Sequence, residues 1–574
     1  MKFFVHYLSP FKWRMFLGLL IKISGTVFEL FLPYILTHIL DNVIVTLDIK
    51  KVVFFGLVMI GCAGAACICN IVANRMAAKV SRDFSKSMRK DLFEKTLYLS
   101  SADTDRFTIP SLESRITSDT YNVHNFVSMI QRIGVRAPML LIGGLIISFF
   151  MDPVLAFTMF ATLPFIFITV YSVSKNGIPL YTKVQKSVDK MVRVVREDTQ
   201  GIRVIKALSK NDYENRRYDE VNLGLSMEER KAGTIMSSVH PIMTALMNLG
   251  ITAVVAVSAF TVAKGTSTPA TVIAFVQYFT LISMAMMIIS RMFVMYTKCR
   301  ASANRIAEVL DTPDGFFVTE DSSGPDEEKF ISFENVSFSY LGKKDNLEDI
   351  TVSVKKGGSL GIIGATGSGK TTFTKLLMRS YEASSGRIKI NGRDITSYGR
   401  KELTDMFGVA LQNDFIYGDS IEENIKFGRD ISKEDMIRAA EIAQAREFIE
   451  ALPDGYAHTL SPKGTNLSGG QRQRILIARA VAARPEIIIL DDSSSALDYK
   501  TDAALRKALD TELIGSTVIT VAQRVSSVKN CDTIIVLDEG KIIGKGTHEE
   551  LMETCSEYRE ISDSQMGGAF VDGE

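Results

Sequence analysis

The N-terminal half of the sequence contains apolar stretches long enough to cross a lipid bilayer, and this feature restricts the possible folds more than any other. A helix needs about 20 mostly apolar residues to span the hydrocarbon core. By that measure about six segments qualify, near Met15–Leu40, Val52–Val72, Val135–Phe150, Val154–Val173, Pro241–Val262 and Thr271–Met295. Because only helices and closed barrels satisfy all backbone hydrogen bonds within lipid, we expect a helical membrane domain.

The connections between these segments differ in length and charge. Ala73–Arg132 and Tyr181–His240 are long and rich in Lys and Arg, whereas the joint at Met151–Pro153 is short enough for a tight hairpin. The excess of positive charge places the two long connections in the cytoplasm. An even number of spans then leaves the C-terminal half in the cytoplasm. We therefore predict a multi-pass protein of the plasma membrane.

Charged residues interrupt the apolar segments at a few positions. Lys22 and Glu29 lie two helical turns apart and share a face of the first segment, and Arg291 interrupts the sixth. Charges are costly inside a membrane, so they either face protein or line a substrate cavity, and both interpretations stay open. Methionines in the sixth segment suit an adaptable apolar surface, although lipid-facing packing explains them nearly as well.

Composition separates the two halves of the chain and excludes some functions. The net charge of +1 shows no basic excess, so we predict no nucleic-acid partner. The six cysteines are scattered or lie within one apolar segment, which favours neither disulfides nor a metal cluster. Residues 311–329 are rich in Gly, Pro, Ser and acidic residues, as is typical of a linker. We therefore divide the chain into a membrane domain (1–310), a linker (311–329) and a nucleotide-binding domain (330–574).

A phosphate-binding loop follows the linker. The sequence SLGIIGATGSGKTTFTKLL gives a strand, a glycine-rich loop and a helix in that order, and Gly364–Thr371 matches the loop pattern. Backbone N–H groups and Lys370 would hold the phosphates, and the Thr371 hydroxyl would bind Mg²⁺. The nucleotide-binding residues expected here are Gly364, Gly367, Gly369, Lys370, Thr371 and Thr372.

Two further features complete the nucleotide chemistry. The apolar strand Ile487–Leu490 ends at Asp491, where open α/β sheets place ligands, so Asp491 is the expected Mg²⁺ carboxylate. Upstream, NLSGGQRQR opens a helix, and Ser468 with its two glycines forms a second anion site at the helix start. One nucleotide does not need two phosphate sites in a single fold, which suggests that each serves a different nucleotide across a dimer.

Together these residues resemble the ATP-binding cassette (ABC) superfamily, and their order resembles an exporter half-transporter over essentially the whole chain. The resemblance implies an α-helical transmembrane domain of six long helices fused to an α/β P-loop nucleotide-binding domain. It also implies a transport ATPase with ATP and Mg²⁺ as cofactors. Two such halves would hold two ATP molecules head-to-tail between their nucleotide-binding domains.

The resemblance carries roles to further positions. Tyr340 matches the aromatic residue that stacks on adenine, and Gln412 matches the glutamine that senses Mg²⁺, alongside the metal ligands Thr371 and Asp491. The signature motif, which contacts the ATP of the partner half, matches Ser468, Gly469, Gly470 and Gln471. The loop that signals across the dimer matches Ser495–Asp498, and Asp498 joins the predicted nucleotide-site residues. Coupling helices are expected near Phe107–Glu113 and Ser209–Arg216.

Three positions depart from the family pattern. Asp492 stands where the catalytic Glu belongs, which pulls the base back by on the order of 1 Å and can cost about 100-fold in rate. Gln523 stands in place of the switch histidine; it can hydrogen-bond a phosphate but cannot carry a charge. Pro462 replaces a Glu that exporters usually carry before the signature, which weakens the expected contact with the partner's coupling helices.

The departures at Asp492 and Gln523 affect one ATP site, whereas the signature, which serves the other site, is intact. This pattern resembles the degenerate-site subunit of bacterial heterodimeric multidrug exporters. It predicts a partner half-transporter that supplies the Glu and the His, while Lys370, Thr371 and Asp491 still bind ATP. The expected substrates are hydrophobic or amphipathic drugs or lipids taken from the cytoplasm or inner leaflet of the bilayer.

Other functions stay open or are excluded. A homodimeric exporter or lipid flippase with slow hydrolysis at two weakened sites is one alternative. An ATP-gated channel or a regulatory membrane protein is another, and transport against a gradient would separate it from a pump. The apolar segments exclude a soluble ATP-dependent clamp or translation factor. An importer is disfavoured, because importers usually make membrane and ATPase parts as separate chains.

Overall fold

A computed structural model describes residues 2–566, apart from residues 322, 341, 343, 413 and 494. The chain forms two compact units. A helical unit comprises Met1–Tyr98 and Phe107–Thr312, and a mixed α/β unit comprises Leu99–Arg106 and Pro313–Glu574. The short segment Leu99–Arg106 therefore belongs to the α/β unit, although the chain on both sides of it belongs to the helical unit.

Helices account for most of residues 2–312, and all of them belong to the helical unit except the one that begins at Ser101, which lies in the segment Leu99–Arg106 of the α/β unit but for its last residue. In chain order they are α1 (Lys2–Leu8), α2 (Lys12–His38), α3 (Ile49–Tyr98), α4 (Ser101–Phe107), α5 (Ile109–Ser114), α6 (Thr120–Arg132), α7 (Arg136–Met151), α8 (Pro153–Ala207), α9 (Asn211–Ser237), α10 (Val239–Ala263) and α11 (Pro269–Leu310). Two π-helical turns, Ile39–Val43 and Arg115–Asp119, interrupt the series.

Within the described residues, five helical stretches are long and apolar enough to cross a membrane. They are Phe4–Thr46, Ile49–Tyr98, Ile109–Met151, Asn211–Ala263 and Pro269–Ile289, and a shorter apolar stretch covers Pro153–Thr169. Each of the predicted segments begins inside one of these stretches. Helix α8 has 55 residues, and at about 1.5 Å per residue it is far longer than a bilayer is thick.

Short polar contacts fix how the apolar helices meet. The joint between α7 and α8 is a tight hairpin, as predicted, because the Asp152 carboxylate accepts hydrogen bonds from the backbone N–H groups of Val154 and Leu155. Inside the unit, Arg136 pairs with both carboxylate oxygens of Glu29. Lys22, 3% exposed, donates to Asn70 (2.7 Å) and Asn74 (3.1 Å). Two of the predicted charges therefore face protein.

The α/β unit alternates strands and short helices. Its strands are β1 (Ile331–Phe338), β2 (Leu347–Val354), β3 (Ser359–Gly364), β4 (Ser385–Ile390), β5 (Arg393–Asp394), β6 (Phe407–Ala410), β7 (Ile487–Asp491), β8 (Thr517–Val521), β9 (Thr533–Asp538) and β10 (Lys541–Gly546). Its helices are α12 (Lys370–Leu377), α13 (Arg400–Asp405), α14 (Ile421–Lys426), α15 (Lys433–Ile442), α16 (Arg446–Glu450), α17 (Gly469–Val481), α18 (Tyr499–Glu512), α19 (Val525–Val528), α20 (His548–Thr554) and α21 (Ser556–Met566).

The strands form two sheets. An antiparallel sheet has the order β2-β1-β4-β5, and the larger sheet has the order β10-β9-β3-β8-β7-β6. All strands of the larger sheet except β10 run parallel. Every residue of β7 is buried, which explains its continuous apolar sequence. Because β3, β8 and β7 are neighbours, the loops that follow them meet at one edge of the sheet.

Candidate nucleotide site

The phosphate loop begins where the buried strand β3 ends. Gly364 has a φ of 156°, and a Cβ atom at this position would collide with the Leu537 carbonyl oxygen. Gly367 has a φ of 87°, in the left-handed region that favours glycine. The loop conformation therefore requires these glycines, and it delivers the chain directly to the N-terminus of α12 at Lys370.

The side chains of this loop suit a phosphate ligand. Lys370 is 9% exposed, and its ammonium donates to the carbonyl oxygens of Gly364 (2.8 Å) and Ala365 (2.7 Å). The Ser368 hydroxyl is buried and has no hydrogen-bond partner among the described residues. A buried, unsatisfied hydroxyl is costly, and a phosphate oxygen would satisfy it. The residues present therefore fit the triphosphate of a nucleotide.

Three predicted residues converge on the end of β7. Asp492 has a φ of 49°, and its backbone N–H bonds the Val521 carbonyl at 2.9 Å, which fixes its position beside β8. One carboxylate oxygen of Asp492 accepts hydrogen bonds from Gln412 (3.0 Å) and Gln523 (3.4 Å). Asp491 is the preceding residue in the chain, and the nearby Thr371 side chain acts to lower its pKa. Two predicted metal ligands, Gln412 and Asp491, thus lie beside the two positions that depart from the family pattern.

The ionisation of this cluster follows from burial. Burial raises the pKa of Asp491, while the Thr371 hydrogen bond opposes the increase and the Asp492 charge adds to it. Burial also raises the pKa of Asp492, against the opposing charges of Lys370 and Arg524. Burial therefore favours the protonated form of both carboxyl groups.

Magnesium would depend on few protein ligands at this site. The described residues contain no group of three or more His, Cys, Asp or Glu that could hold a metal ion. Mg²⁺ is commonly bound through one or two carboxylates, water and substrate phosphates. Asp491 and Thr371 fit that pattern, because Asp491 ends the buried strand β7 and the Thr371 side chain lies close enough to influence its pKa. Bound Mg²⁺ would neutralise charge on the phosphates.

An aromatic cluster lies at the other end of the predicted nucleotide site. Tyr340 is 39% exposed, and its ring meets that of Tyr381 edge-on, with centroids 5.0 Å apart. The Tyr340 hydroxyl lies 3.4 Å from the hydroxyl of Thr372 in α12. Lys375 lies 5.6 Å from the Tyr340 ring. The ring is therefore held in place and still has surface for a flat base.

The signature residues form a helix cap. Ser468 is the N-cap of α17; its hydroxyl accepts from the Gln471 backbone N–H at 3.2 Å, and the Gln471 side chain accepts from the Ser468 N–H at 2.9 Å. Gly469 and Gly470 follow in the first turn. No hydrogen bond or ring contact between described residues joins this cap to the phosphate loop. Such separation fits two sites that serve different nucleotides.

A connection that the sequence did not reveal runs from Asp492 to α17. Ser495 donates from its hydroxyl to the Asp492 carbonyl oxygen at 3.0 Å, and Gln473 bonds both the Ser495 hydroxyl (3.1 Å) and the Ala496 N–H (3.0 Å). Asp498 caps α18 by accepting from the Thr501 N–H at 2.9 Å. Its carboxylate is thus used locally, and its predicted contact with nucleotide stays a prediction.

Comparison with known proteins identifies the family. One family profile, described as ABC transporter transmembrane region, matches residues 15–286, and another, described as ABC transporter, matches residues 347–495. An uncharacterized ABC transporter ATP-binding protein of Bacillus subtilis, YfiB, is 32% identical over 563 residues, which cover 98% of both chains. The chain is an ABC transporter. Its nucleotide unit is therefore an ABC-type, ATP-binding domain, and the chain is a transport ATPase.

Other relatives support the same assignment for this ABC transporter. A putative ABC transporter ATP-binding protein of Streptococcus pneumoniae, exp8, is 30% identical over 572 residues, 99% of this chain and 97% of the relative. The solved structure of a bacterial Atm1-family ABC exporter with ATP bound covers 96% of this chain and 98% of its own, with a TM-score of 0.81 and 21% identity. The predicted fold class, a helical transmembrane domain fused to an α/β ABC domain, is confirmed.

The segment next to one predicted coupling helix belongs to the nucleotide unit. A coupling helix is predicted near Phe107–Glu113, and this stays a prediction; the adjoining segment Leu99–Arg106 groups with the α/β unit. Its Asp105 carboxylate accepts a hydrogen bond from the Tyr381 hydroxyl. Sequence spacing did not single out Tyr381, because its partner lies 276 positions away in the chain. The expected second segment, Ser209–Arg216, includes the start of α9 and stays a prediction.

Proposed function

We propose that this ABC transporter is one subunit of a heterodimeric exporter whose own ATP site hydrolyses slowly. ATP would bind the phosphate loop, with Tyr340 against the adenine and Mg²⁺ held by Asp491 and Thr371. The signature Ser468–Gln471 would complete the hydrolytic site of a partner half-transporter in the same plasma membrane. The subunit would move hydrophobic or amphipathic molecules out of the cytoplasm or the inner leaflet.

The observation that carries this proposal is the set of contacts around Asp492. Two amide side chains, from Gln412 and Gln523, donate to one of its carboxylate oxygens. A carboxylate that accepts two hydrogen bonds is less available to remove a proton from water. The side chain is also one methylene shorter than glutamate, and a misplacement of about 1 Å can cost about 100-fold in rate.

ATP binding depends on other groups, and these are retained. The phosphate loop keeps its glycines in backbone conformations that other residues rarely adopt, together with the buried Lys370 and the unsatisfied Ser368 hydroxyl. None of these groups has to remove a proton. The site is therefore suited to keep its ATP bound while the neighbouring site hydrolyses its own ATP. The bound ATP would then hold the two nucleotide-binding domains together.

The intact signature supports a partner of a different sequence. The Ser468–Gln471 cap is complete and is connected through Gln473 to Ser495 near Asp492. In a subunit that had simply lost activity, we would not expect the signature motif to be retained. A homodimer with two slow sites is the second candidate, and purification of the chain alone separates the two, since a homodimer would transport without any partner.

The substrate class rests on the surface of α11. Met284 and Met287 are 51% and 39% exposed, and Arg291 on the same helix is also exposed. Flexible, polarisable methionines adapt to apolar groups of different shapes, and an arginine nearby offers one charged contact. This combination supports amphipathic molecules over purely apolar ones.

The test is to restore the two missing groups. In the full chain, purified with the partner that co-purifies from its native membrane, Asp492→Glu with Gln523→His should raise ATP turnover by about 10- to 100-fold at this site. Asp510→Glu, an exposed position on α18, is the matched control and should have no effect. No gain from the double variant, or brisk hydrolysis by the unmodified chain alone, would refute the proposal.

A further inference from the structure

The loop that carries Gln523 is held by a part of the chain that no motif singled out. This loop connects β8 to the short helix α19 and brings Gln523 to within 3.4 Å of the Asp492 carboxylate. Helix α19 has only four residues, Val525–Val528, so it contributes little rigidity of its own. The position of Gln523 must therefore be fixed by neighbouring elements.

The C-terminal helix α21 is well placed to fix it. Tyr558 in α21 is fully buried, and its hydroxyl lies 2.8 Å from the His548 ring nitrogen. The same apolar cluster contains Ile363, at the end of β3, and Val525, at the start of α19. Because packed cores transmit displacements, α21 is coupled mechanically to both the phosphate loop and the Gln523 loop.

The side chain of Gln565 in α21 hydrogen-bonds the loop on both sides of Arg524. The Gln565 carboxamide oxygen accepts a hydrogen bond from the Val525 backbone N–H at 2.8 Å. The Gln565 amide nitrogen donates to the Gln523 carbonyl oxygen at 2.8 Å. The first of these satisfies an N–H group in the first turn of α19, which has no partner within its own helix. The second fixes the backbone that carries the Gln523 side chain.

We propose that Gln565 is a positioning residue for the ATP site and that α21 thereby controls where Gln523 points. The proposal rests on the proposed ATP site and on the expectation that the Gln523 side chain hydrogen-bonds a phosphate of the bound ATP. Gln565 does not touch the nucleotide; it acts by holding the backbone on both sides of Arg524. Loss of the two Gln565 hydrogen bonds would let α19 and Gln523 move. ATP at the phosphate loop would then be bound less tightly.

A double-mutant cycle tests this in the full chain assembled with its partner in lipid nanodiscs. Gln565→Ala removes both hydrogen bonds, and the affinity for a fluorescent N-methylanthraniloyl ATP analogue should fall about fivefold. In a Gln523→Ala background the same substitution should have almost no effect, because the group that it positions is gone. Ser564→Ala, an exposed neighbour on α21, is the control.

A second variant keeps the test independent of folding. Gln565→Glu can accept from Val525 but places a carboxylate against the Gln523 carbonyl oxygen, so it should weaken binding at least as much as alanine, with an unchanged unfolding temperature. Equal losses with and without Gln523, or wild-type affinity in Gln565→Glu, would overturn the proposal. Rapid ATP hydrolysis by the unmodified chain would refute only the proposal of a slow site. It would not refute the role of Gln565, because the double-mutant cycle measures affinity for the ATP analogue and not hydrolysis.

Discussion

Removal of the Tyr381 hydroxyl should break the hydrogen bond that connects the nucleotide site to the segment Leu99–Arg106. Tyr381 touches both: its ring packs edge-on against Tyr340, and its hydroxyl donates to Asp105. Tyr381→Phe keeps the ring and removes only the hydrogen bond. We therefore expect the substitution to release the segment while the aromatic support for adenine stays in place.

The size of the effect follows from the kind of hydrogen bond. A bond to a charged acceptor contributes about 1.5–3 kcal/mol. The Tyr381–Asp105 pair is partly exposed, so we expect about 1 kcal/mol, which corresponds to about a fivefold change in an equilibrium constant. Burial, and then the bond to Asp105, raise the pKa of Tyr381, so the phenol stays protonated and the effect should be the same between about pH 6 and pH 8.

Hydrogen–deuterium exchange measures this directly. With ATP present, Tyr381→Phe should speed amide exchange in Leu99–Arg106 about fivefold and leave exchange in the phosphate loop unchanged. Tyr499→Phe is the matched control, because Tyr499 is 71% exposed on α18. Unchanged exchange in the segment, or an equal increase in the phosphate loop, would show that the hydroxyl does not connect the two.

Two further predictions concern a buried lysine and a half-buried arginine. Lys370→Met should weaken binding of the fluorescent ATP analogue at least about tenfold. Because burial lowers the pKa of Lys370, wild-type affinity should decline with rising pH sooner than an exposed lysine would allow, and the variant should lack this decline. In the helical unit, Arg136→Met should lower the free energy of unfolding by about 1–3 kcal/mol. The substitution leaves the Glu29 carboxylate without its ion-pair partner, and only 21% of the Glu29 side chain is exposed. Adding Glu29→Met should recover most of the loss in thermal unfolding of the detergent-solubilised protein.

Local sequence patterns predicted the fold class and the main groups of the nucleotide site. The phosphate loop follows from the order strand, glycine loop and helix, and Asp491 follows from the end of an apolar strand. These signals are local, because backbone geometry requires particular residues within a few positions of one another. The convergence of Gln412 and Gln523 on Asp492 was not visible in the same way, since it depends on which strands are neighbours in the sheet.

Contacts between residues that are far apart in the sequence could not be predicted from it. The side chain of Gln565 lies 42 positions from the Gln523 carbonyl it bonds, and Tyr381 lies 276 positions from Asp105. Neither residue stands in a motif, and both are ordinary on a helix or loop. The full length of α8 was also missed, because its apolar pattern ends well before its helix does.

Binding and hydrolysis depend on different groups in this pocket, and this makes a slow site physically reasonable. In the function proposed here, phosphate affinity comes from the loop backbone, Lys370 and Ser368, whose positions are fixed by a buried strand and by glycines in conformations that other residues rarely adopt. Hydrolysis depends on a carboxylate that must reach a water molecule, and here Asp492 is short and is engaged by two amides. A substitution at Asp492 leaves the phosphate-binding groups of the loop in place. A subunit can therefore lose turnover and still use ATP as a structural link, which is the property that the restored Glu and His are expected to reverse.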